Sequence, residues 1–305
     1  MKKSIIADFS LMLVALVWGA TFVLVQNAIS FLPPLTFNGV RFLMASIILG
    51  IVLFAFKKDQ LAYYNHKLLV SGVIMGMWLF FGYATQTMGL LYTTSSNAGF
   101  ITGLSVVLVP LFSVVLLKQR PGMNAMIGVF LATTGLYLLT MTGSTSLNLG
   151  DFLVLLCAVS FALQIIVTGK YSSSYPTLLL TVVQITTVSI FSLISAFLFE
   201  DWPKALQPDI LFKNDVVVAL LVTSIFATAL AFFAQTAFQK YTSATHVALI
   251  FALEPVFAAI TAYFWGGERL SSGAIFGCVF IFIGMILAEL PMGKFFKWEK
   301  RNKAA

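Results

Sequence analysis

The chain has 305 residues, of which 60% are hydrophobic and 10% are charged, and its mean hydropathy is +0.98. A soluble domain of this size needs a far more polar surface, so the composition excludes a soluble globular protein and indicates a membrane protein. We attribute the net charge of +7 to basic loops beside the membrane and not to nucleic-acid binding, because no soluble domain remains to present a basic face.

Ten apolar segments follow one another along the chain, and each is long enough to cross about 30 Å of hydrocarbon as a helix. The segments lack the alternating pattern of a barrel strand. The predicted fold is therefore an all-α integral membrane protein with ten transmembrane helices. The predicted spans are 8–29, 35–56, 68–91, 95–117, 123–142, 150–169, 176–199, 216–239, 243–265 and 272–290.

The distribution of lysine and arginine predicts the orientation of these spans. With the N-terminus inside, the inner segments and the tail carry fourteen basic residues and the outer loops carry three. In membrane proteins the loops that carry such an excess of lysine and arginine lie on the cytoplasmic side. We therefore expect a multi-pass membrane protein, surrounded by the lipid bilayer, with both termini in the cytoplasm.

The ten spans divide into two copies of five. Asp8-Phe9 at the start of span 1 matches Asp151-Phe152 at the start of span 6, an offset of 143 positions. From span 3 onward the offset is 149, so that Gln86-Thr87 matches Gln235-Thr236. Because five is odd, the second copy must enter the membrane from the other side. The sequence thus predicts two inverted five-helix repeats, residues 1–145 and 146–292, followed by a basic cytoplasmic tail at 293–305.

Several short motifs follow one another along the chain: Trp18-Gly19, Pro33 and Arg41, the helix 4 segment 96–104, Tyr241-Thr242-Ser243-Ala244, Leu253-Glu254-Pro255-Val256 and Gly267-Glu268-Arg269. In this order they resemble the drug/metabolite transporter superfamily, and within it the bacterial EamA family, which implies a protein of the bacterial inner (cell) membrane. The resemblance covers residues 8–290. It implies ten helices around a central cavity that is lined mainly by helices 1, 3, 4, 6, 8 and 9.

The same resemblance implies a carrier or exporter of small organic metabolites. The family transports amino acids, nucleotide-related compounds, sugars and drugs, so membership does not name the substrate. The resemblance favours amino acids or related compounds, with multidrug or nucleotide-related export as the alternative. It leaves open whether the protein is a monomer or a homodimer.

Glu254 is the sharpest candidate for the transport pathway. A carboxylate in the middle of a span costs about 3 kcal/mol on insertion scales, so it must face water, a partner or a ligand. The adjacent Pro255 removes a backbone hydrogen bond and predicts a break in helix 9, and Pro110 predicts a similar break in helix 4. A substrate or proton contact is one interpretation of Glu254. A structural hydrogen bond across helices is the other.

Three further polar residues lie in or near the spans. Arg41 cannot lose its charge, and it indicates either recognition of an anion or a structural ion pair. His246, eight residues before Glu254, can take part in a proton relay or serve as an interfacial hydrogen-bonding residue. Its counterpart in the repeat is Asn97.

Gln86 and Gln235 form a symmetric pair of buried amides in helices 3 and 8, and buried amides need partners. A ligand or an adjacent helix can supply those partners. Gln164, Trp18 and Tyr83 are expected to add to the cavity wall.

Two other classes of function compete with a carrier. An embedded enzyme needs paired acid–base groups or a metal cluster, and the sequence, with two histidines, indicates neither. We therefore expect no catalytic residues, no metal and no cofactor, with proton coupling left open. A passive channel is the other competitor, and it would show no saturation and no counterflow.

Overall fold

The structure is a computed structural model, and it describes residues 2–93, 95–140, 148–201, 203, 207–265 and 271–289. These residues form helices and the turns that join them. Eight helices are long and apolar enough to cross a membrane, and two shorter apolar helices accompany them at Met123–Leu138 and Ser272–Ala288. The predicted basic tail at 293–305 lies outside the described residues.

The helices begin and end within a few residues of the predicted spans, except that helix 1 begins earlier. Numbered in chain order, the seven uninterrupted ones are helix 1 (Lys2–Ile29), helix 2 (Pro34–Phe56), helix 3 (His66–Gly89), helix 5 (Met123–Thr140), helix 6 (Leu149–Tyr171), helix 7 (Thr177–Phe199) and helix 10 (Ser272–Glu289). Two short helices, Lys58–Tyr63 and Pro208–Leu211, lie in the connections after helices 2 and 7.

Three spans are interrupted. Helix 4 consists of Ser95–Gly103, Ser105–Phe112 and the π-helical Ser113–Leu117, and helix 9 consists of Ala244–Phe251 and Glu254–Trp265. Helix 8 consists of Asn214–Ser224, the π-helical Ile225–Leu230 and Ala231–Gln239. The offset of 149 places the interruption of helix 9 on that of helix 4, so both halves are broken at the same depth.

The break that the sequence predicts at Pro110 is wrong in its position. Pro110 lies inside Ser105–Phe112, and the interruption of helix 4 is at Leu104. There Val107 donates to the Leu104 carbonyl (2.9 Å), which is a tight i→i+3 turn. The helix continues through Pro110 as far as Phe112, after which the π-helical turn begins. In helix 9 the break falls at Ala252 and Leu253, directly before Glu254 and Pro255.

Helices 5 and 10 pack against each other in antiparallel fashion through glycines. A Cβ atom on Gly128 would lie 2.5 Å from the Gly284 carbonyl oxygen, and one on Gly135 would lie 2.6 Å from that of Gly277. Small residues of this kind let two backbones approach closely inside a membrane. In the sequence repeat Gly128 matches Gly277 and Gly135 matches Gly284, so each contact is the image of the other. This reciprocity supports an inverted arrangement of the two halves.

Helices 2 and 7 form a second antiparallel pair, held along its length and at both ends. In the middle, the hydroxyls of Ser46 and Thr186 lie 2.6 Å apart. At one end, the Glu200 carboxylate accepts from the backbone of Leu35 (2.7 Å) and from both the backbone and the hydroxyl of Thr36 (2.8 Å each).

The carboxylate of Glu200 thereby caps the first turn of helix 2, where the backbone donors have no partner in their own helix. At the other end, Gln60 accepts from the backbone of Leu179 in the first turn of helix 7 (3.2 Å). Each connection therefore caps the helix of the opposite half.

Candidate functional site

A cavity lies between the two halves in the middle of the helix bundle. It contains about 870 Å³ of empty space, a figure that includes open solvent. Its wall extends from Trp18, midway along helix 1, to Val25, one turn before that helix ends. We call the side of the bundle where helix 1 begins the N-terminal face, and the other side the far face. The cavity extends from the middle toward the far face.

The wall is mostly apolar and aromatic, with two charged side chains, Arg41 and Glu254. The aromatic residues in contact with the cavity are Trp18, Phe22, Tyr83, Phe161, Phe232 and Phe251. The polar side chains are Thr21, Gln86, Thr87, Thr102, Ser105 and Gln164. Such a wall can bind the apolar part of a small molecule and fix its polar groups at a few points.

Arg41 is buried and is held by the π-helical turn of helix 8. Its Nε donates to the Thr228 hydroxyl (2.7 Å), and its Nη2 donates to the Ala227 carbonyl (3.3 Å). The guanidinium carbon lies 4.9 Å from the centre of the Tyr83 ring, within the range of a cation–π contact. Since guanidinium has five N–H donors, others remain for a ligand.

The π-helical turn also fixes Trp18. The Trp18 indole Nε1 donates to the same Ala227 carbonyl (2.8 Å), and its ring packs at 4.9 Å, edge to face, on Phe251. A wider turn changes the i→i−4 hydrogen-bond pattern, and such turns occur often at functional sites. One turn of helix 8 therefore positions both an aromatic wall residue and the cation of the cavity.

Glu254 lies at the start of the second piece of helix 9, partly buried against the cavity. Within the described residues its carboxylate has no hydrogen bond or ion pair, so it is free to meet a ligand. The N-terminus of a helix favours a negative charge. A Cβ atom on Gly19 would lie 2.4 Å from the Glu254 carbonyl oxygen. Helix 1 thus packs directly on the break that presents this carboxylate.

Gln164 and Gln235, from helices 6 and 8, form a reciprocal pair. Each donates through Nε2 to the other's Oε1, at 3.4 and 3.1 Å. Gln164 touches the cavity, whereas Gln235 lies behind it toward the N-terminal face. Gln86, the repeat counterpart of Gln235, lines the cavity and donates to the Thr102 hydroxyl (3.2 Å).

Of the remaining sequence candidates, His246 and Pro110 do not line this cavity. His246 lies at the N-terminal face, where its Nε2 is 3.7 Å from an Asp8 carboxylate oxygen. Pro110 is buried inside helix 4, and the side chain of Asn97 lies outside the described residues. The structure therefore brings together Trp18, Arg41, Tyr83, Gln86, Gln164, Glu254 and Pro255 around one space.

Sequence reasoning missed the residues that hold the site in place. Thr228 and the Ala227 carbonyl anchor Arg41 and Trp18, and no sequence pattern marks a π-helical turn. Thr21 and Thr102 were missed because an isolated threonine in an apolar span usually bonds to its own helix. The offset of 143 matches Thr21 to Gln164, and this comparison would have drawn attention to it.

The sequence model of the EamA-like transporter family matches this chain twice, over residues 5–141 and 148–290. An uncharacterised transporter of Archaeoglobus fulgidus is 35% identical over 289 residues, which cover 94% of this chain and 87% of the relative. An uncharacterised transporter of Bacillus subtilis is 27% identical, covering 89% of each chain. Protein PagO of Salmonella typhimurium is 24% identical, covering 90% of each chain.

A solved crystal structure matches the fold with a TM-score of 0.76 at 18% sequence identity. The match covers 93% of this chain and 96% of the other. At this identity the likeness concerns the fold alone, and it extends over nearly the whole helix bundle.

Proposed function

This chain belongs to the EamA-like transporter family, and on that premise we propose that it is a secondary transporter of small organic metabolites that carry both an amine and a carboxylate. Amino acids and related compounds are the substrates we expect. The observation that carries the proposal is that Arg41 and Glu254 line the same cavity, between aromatic walls.

The two charges suit the two ends of such a molecule. The donors of Arg41 that helix 8 leaves unused can bind a carboxylate, a group that guanidinium matches in shape. The carboxylate of Glu254 can bind an ammonium group. The aromatic side chains around them can bury an apolar side chain of the substrate. Binding therefore keeps each charge paired inside a bundle where an unpaired charge is costly.

The protein is a multi-pass membrane protein, and we place it in the cytoplasmic membrane of a bacterium with both termini inside. The excess of lysine and arginine on one side supports this orientation. Export by alternating access agrees with a cavity halfway through the bundle, next to interrupted helices, which is where secondary transporters hold their substrates. Glu254 is also the group through which a proton would couple to transport.

Counterflow in proteoliposomes tests the proposal. The panel consists of an amino acid with a large apolar side chain, its decarboxylated amine and its deaminated acid. We expect the intact amino acid to exchange at the highest rate. Glu254→Gln should lower its exchange at least tenfold, and Arg41→Gln should do the same while sparing the amine analogue. The matched control Asp209→Asn changes an exposed carboxylate in the same way and should leave exchange unchanged.

Three outcomes would contradict the proposal. Normal exchange by correctly inserted Glu254→Gln would remove the carboxylate from the site. Flux without saturation or counterflow would indicate a passive channel instead of a carrier. In a panel enlarged by a nucleotide-related compound and a drug, exchange of these two alone would keep the carrier and overturn the proposed substrate class.

A further inference from the structure

Four buried polar side chains of helices 6 and 8 form one hydrogen-bonded group, which we call the amide cluster: Gln164, Thr168, Gln235 and Gln239. Each is at most 3% exposed. Besides the reciprocal pair, Gln164 donates to Thr168 (2.9 Å), and Gln235 donates to Gln239 (3.3 Å). Gln239 in turn donates to the Ile165 carbonyl (2.6 Å). The cluster therefore ties helix 6 to helix 8.

The amide cluster closes one end of the cavity. Gln164 touches the cavity, and the other three members lie nearer to the N-terminal face. Around the same depth, Leu11, Val14 and Ala15 of helix 1 are nearly or fully buried and belong to one core with Ile165 and Ile166 of helix 6. A closely packed, hydrogen-bonded barrier therefore lies toward the N-terminal face, and the cavity extends from it toward the far face.

The residues that match the amide cluster in the first half of the chain do not close the cavity but line it. The offsets of 143 and 149 match the four members to Thr21, Val25, Gln86 and Leu90, and all four line the open cavity. Thr21 donates to carbonyls of its own helix, Val17 and Trp18, and Gln86 donates to Thr102. The positions that join helices 6 and 8 at one end thus face the cavity in helices 1 and 3 at the other.

We infer that the amide cluster is the closed gate at the N-terminal face, and that Thr21 and Gln86 form its mirror gate when the cavity closes at the far face. This inference rests on the proposed alternating-access function. In the mirror state the Gln86 amide donates to the Thr21 hydroxyl instead of the Thr102 hydroxyl, and the Gln164–Gln235 pair separates. Each state keeps one pair of helices joined by polar side chains, so the buried amides are never left without partners.

Helices 2 and 7 form the frame against which the gates move. Their contacts are of a different kind from those of the gates: a hydroxyl pair in the middle and a side-chain cap at each end. These contacts involve positions from both halves, so the pair does not need to separate when one gate replaces the other. Helices 1, 3, 6 and 8 are the elements that exchange partners.

Reversible cross-linking tests the inference without any substrate. In a protein with Cys157→Ala and Cys278→Ala, one variant carries Gln164→Cys with Gln235→Cys, and a second carries Thr21→Cys with Gln86→Cys. A reductant-cleavable bifunctional thiol reagent, as long as two glutamine side chains, links each pair. We expect both links to form, each to abolish counterflow, and reductant to restore it. The control, Ser46→Cys with Thr186→Cys, forms a disulfide in the frame and should leave counterflow intact.

A variant with all four gate cysteines gives the decisive result. The inference expects each molecule to carry one gate link or the other, never both, as read by mass spectrometry of the intact and digested protein. Molecules with both links would overturn it, as would counterflow through a linked Gln164–Gln235 gate. The formation of one link to the exclusion of the other is measured without transport. Its result therefore does not depend on the proposed substrate class.

A milder substitution gives the direction of the effect. Gln235→Leu, placed in the Thr21→Cys and Gln86→Cys protein, should raise the rate of linking at least fivefold. It removes three hydrogen bonds from the competing state, and one typical buried hydrogen bond already corresponds to a factor of about five. Gln184→Leu is the matched control, because Gln184 is fully buried in helix 7 and both of its amide atoms lack a partner. An equal rise in both variants would overturn the gate assignment.

Discussion

At the scale of single residues, two matching positions of the repeat have different hydrogen-bonding environments. Arg41 and Gln184 match in the two halves, yet Arg41 is bound by Thr228 and Ala227, while the amide of Gln184 is buried with neither of its polar atoms hydrogen-bonded. The difference arises in helix 8, where the π-helical turn supplies acceptors that the matching segment of helix 3 does not. Arg41 is therefore a positioned cation in one half of a nearly symmetric frame.

The Thr228 hydroxyl is the acceptor that can be removed with the least change in shape. Thr228→Val should lower the free energy of unfolding by about 1–2 kcal/mol, because a charged donor loses its buried partner. It should also weaken binding of carboxylate-bearing substrates, since the guanidinium is no longer held in one orientation. Thermal unfolding and equilibrium binding of the purified protein measure the two effects.

Thr223→Val provides the comparison on the same helix. Thr223 is fully buried and its hydroxyl donates to the Ala219 carbonyl of its own helix (2.6 Å), so this variant should bind substrate normally. Equal binding by both variants would show that Thr228 does not position Arg41.

At the scale of helices, the caps between the halves determine which elements stay fixed. The Glu200 carboxylate satisfies two backbone donors and one hydroxyl at the start of helix 2. The residue at the N-cap position is Pro33, whose side chain has no acceptor, so the helix has no side-chain cap of its own. Glu200 from the connection after helix 7 takes that role. Glu200 therefore stabilises helix 2 and its contact with helix 7 together.

We expect Glu200→Gln to lower the melting temperature of the detergent-solubilised protein. The amide retains one acceptor and turns its NH₂ toward a backbone donor, so the loss is about 1 kcal/mol. Asp201→Asn alters the exposed neighbouring carboxylate and should leave the melting temperature unchanged. A shift of the same size in both variants would mean that surface charge, and not the cap, is responsible.

The helices were predictable from the sequence because each span depends on a long apolar run, which the membrane requires. Their interruptions were not. The turn at Leu104 follows Gly103, but glycines are frequent in membrane-spanning helices, so this one did not stand out as a break. The proline six positions later lies inside the helix. Glu200 was missed for a similar reason: a single charge in a connection has no periodic pattern, and its partners lie 164 and 165 residues away. Among the site residues, the sequence identified the charged Arg41 and Glu254, but it did not identify Thr228 and Ala227, which hold Arg41.

At the scale of the whole molecule, contacts across the halves come in matched pairs. The glycine contacts of helices 5 and 10 are images of each other, and helices 2 and 7 cap one another. The central cavity departs from this symmetry, since the amide cluster closes its end toward the N-terminal face and the matching positions line the cavity. Glu254 departs from it as well, because its counterpart is Ser105. A nearly symmetric helix bundle thus holds an asymmetric site.

The inverted arrangement predicts that the connections after helices 2 and 7 lie on opposite sides of the membrane. Single cysteines at Asp59 and Asp209, both exposed, report on them in a protein with Cys157→Ala and Cys278→Ala. A membrane-impermeant maleimide added to intact cells should label Asp209→Cys and not Asp59→Cys. Permeabilised cells should label both. Labelling of both in intact cells would contradict the inversion and the orientation with it.

The π-helical turn at Ile225–Leu230 also determines the angular phase of everything that follows it in helix 8. Each residue of an α-helix advances the side-chain direction by about 100°. The wider turn takes up one residue more than an α-helical turn of the same rotation. Regular α-helical winding of the same residues would therefore rotate Gln235 and Gln239 away from helix 6 by that angle. One additional residue in this turn therefore determines both how Arg41 is held and whether Gln235 and Gln239 face helix 6.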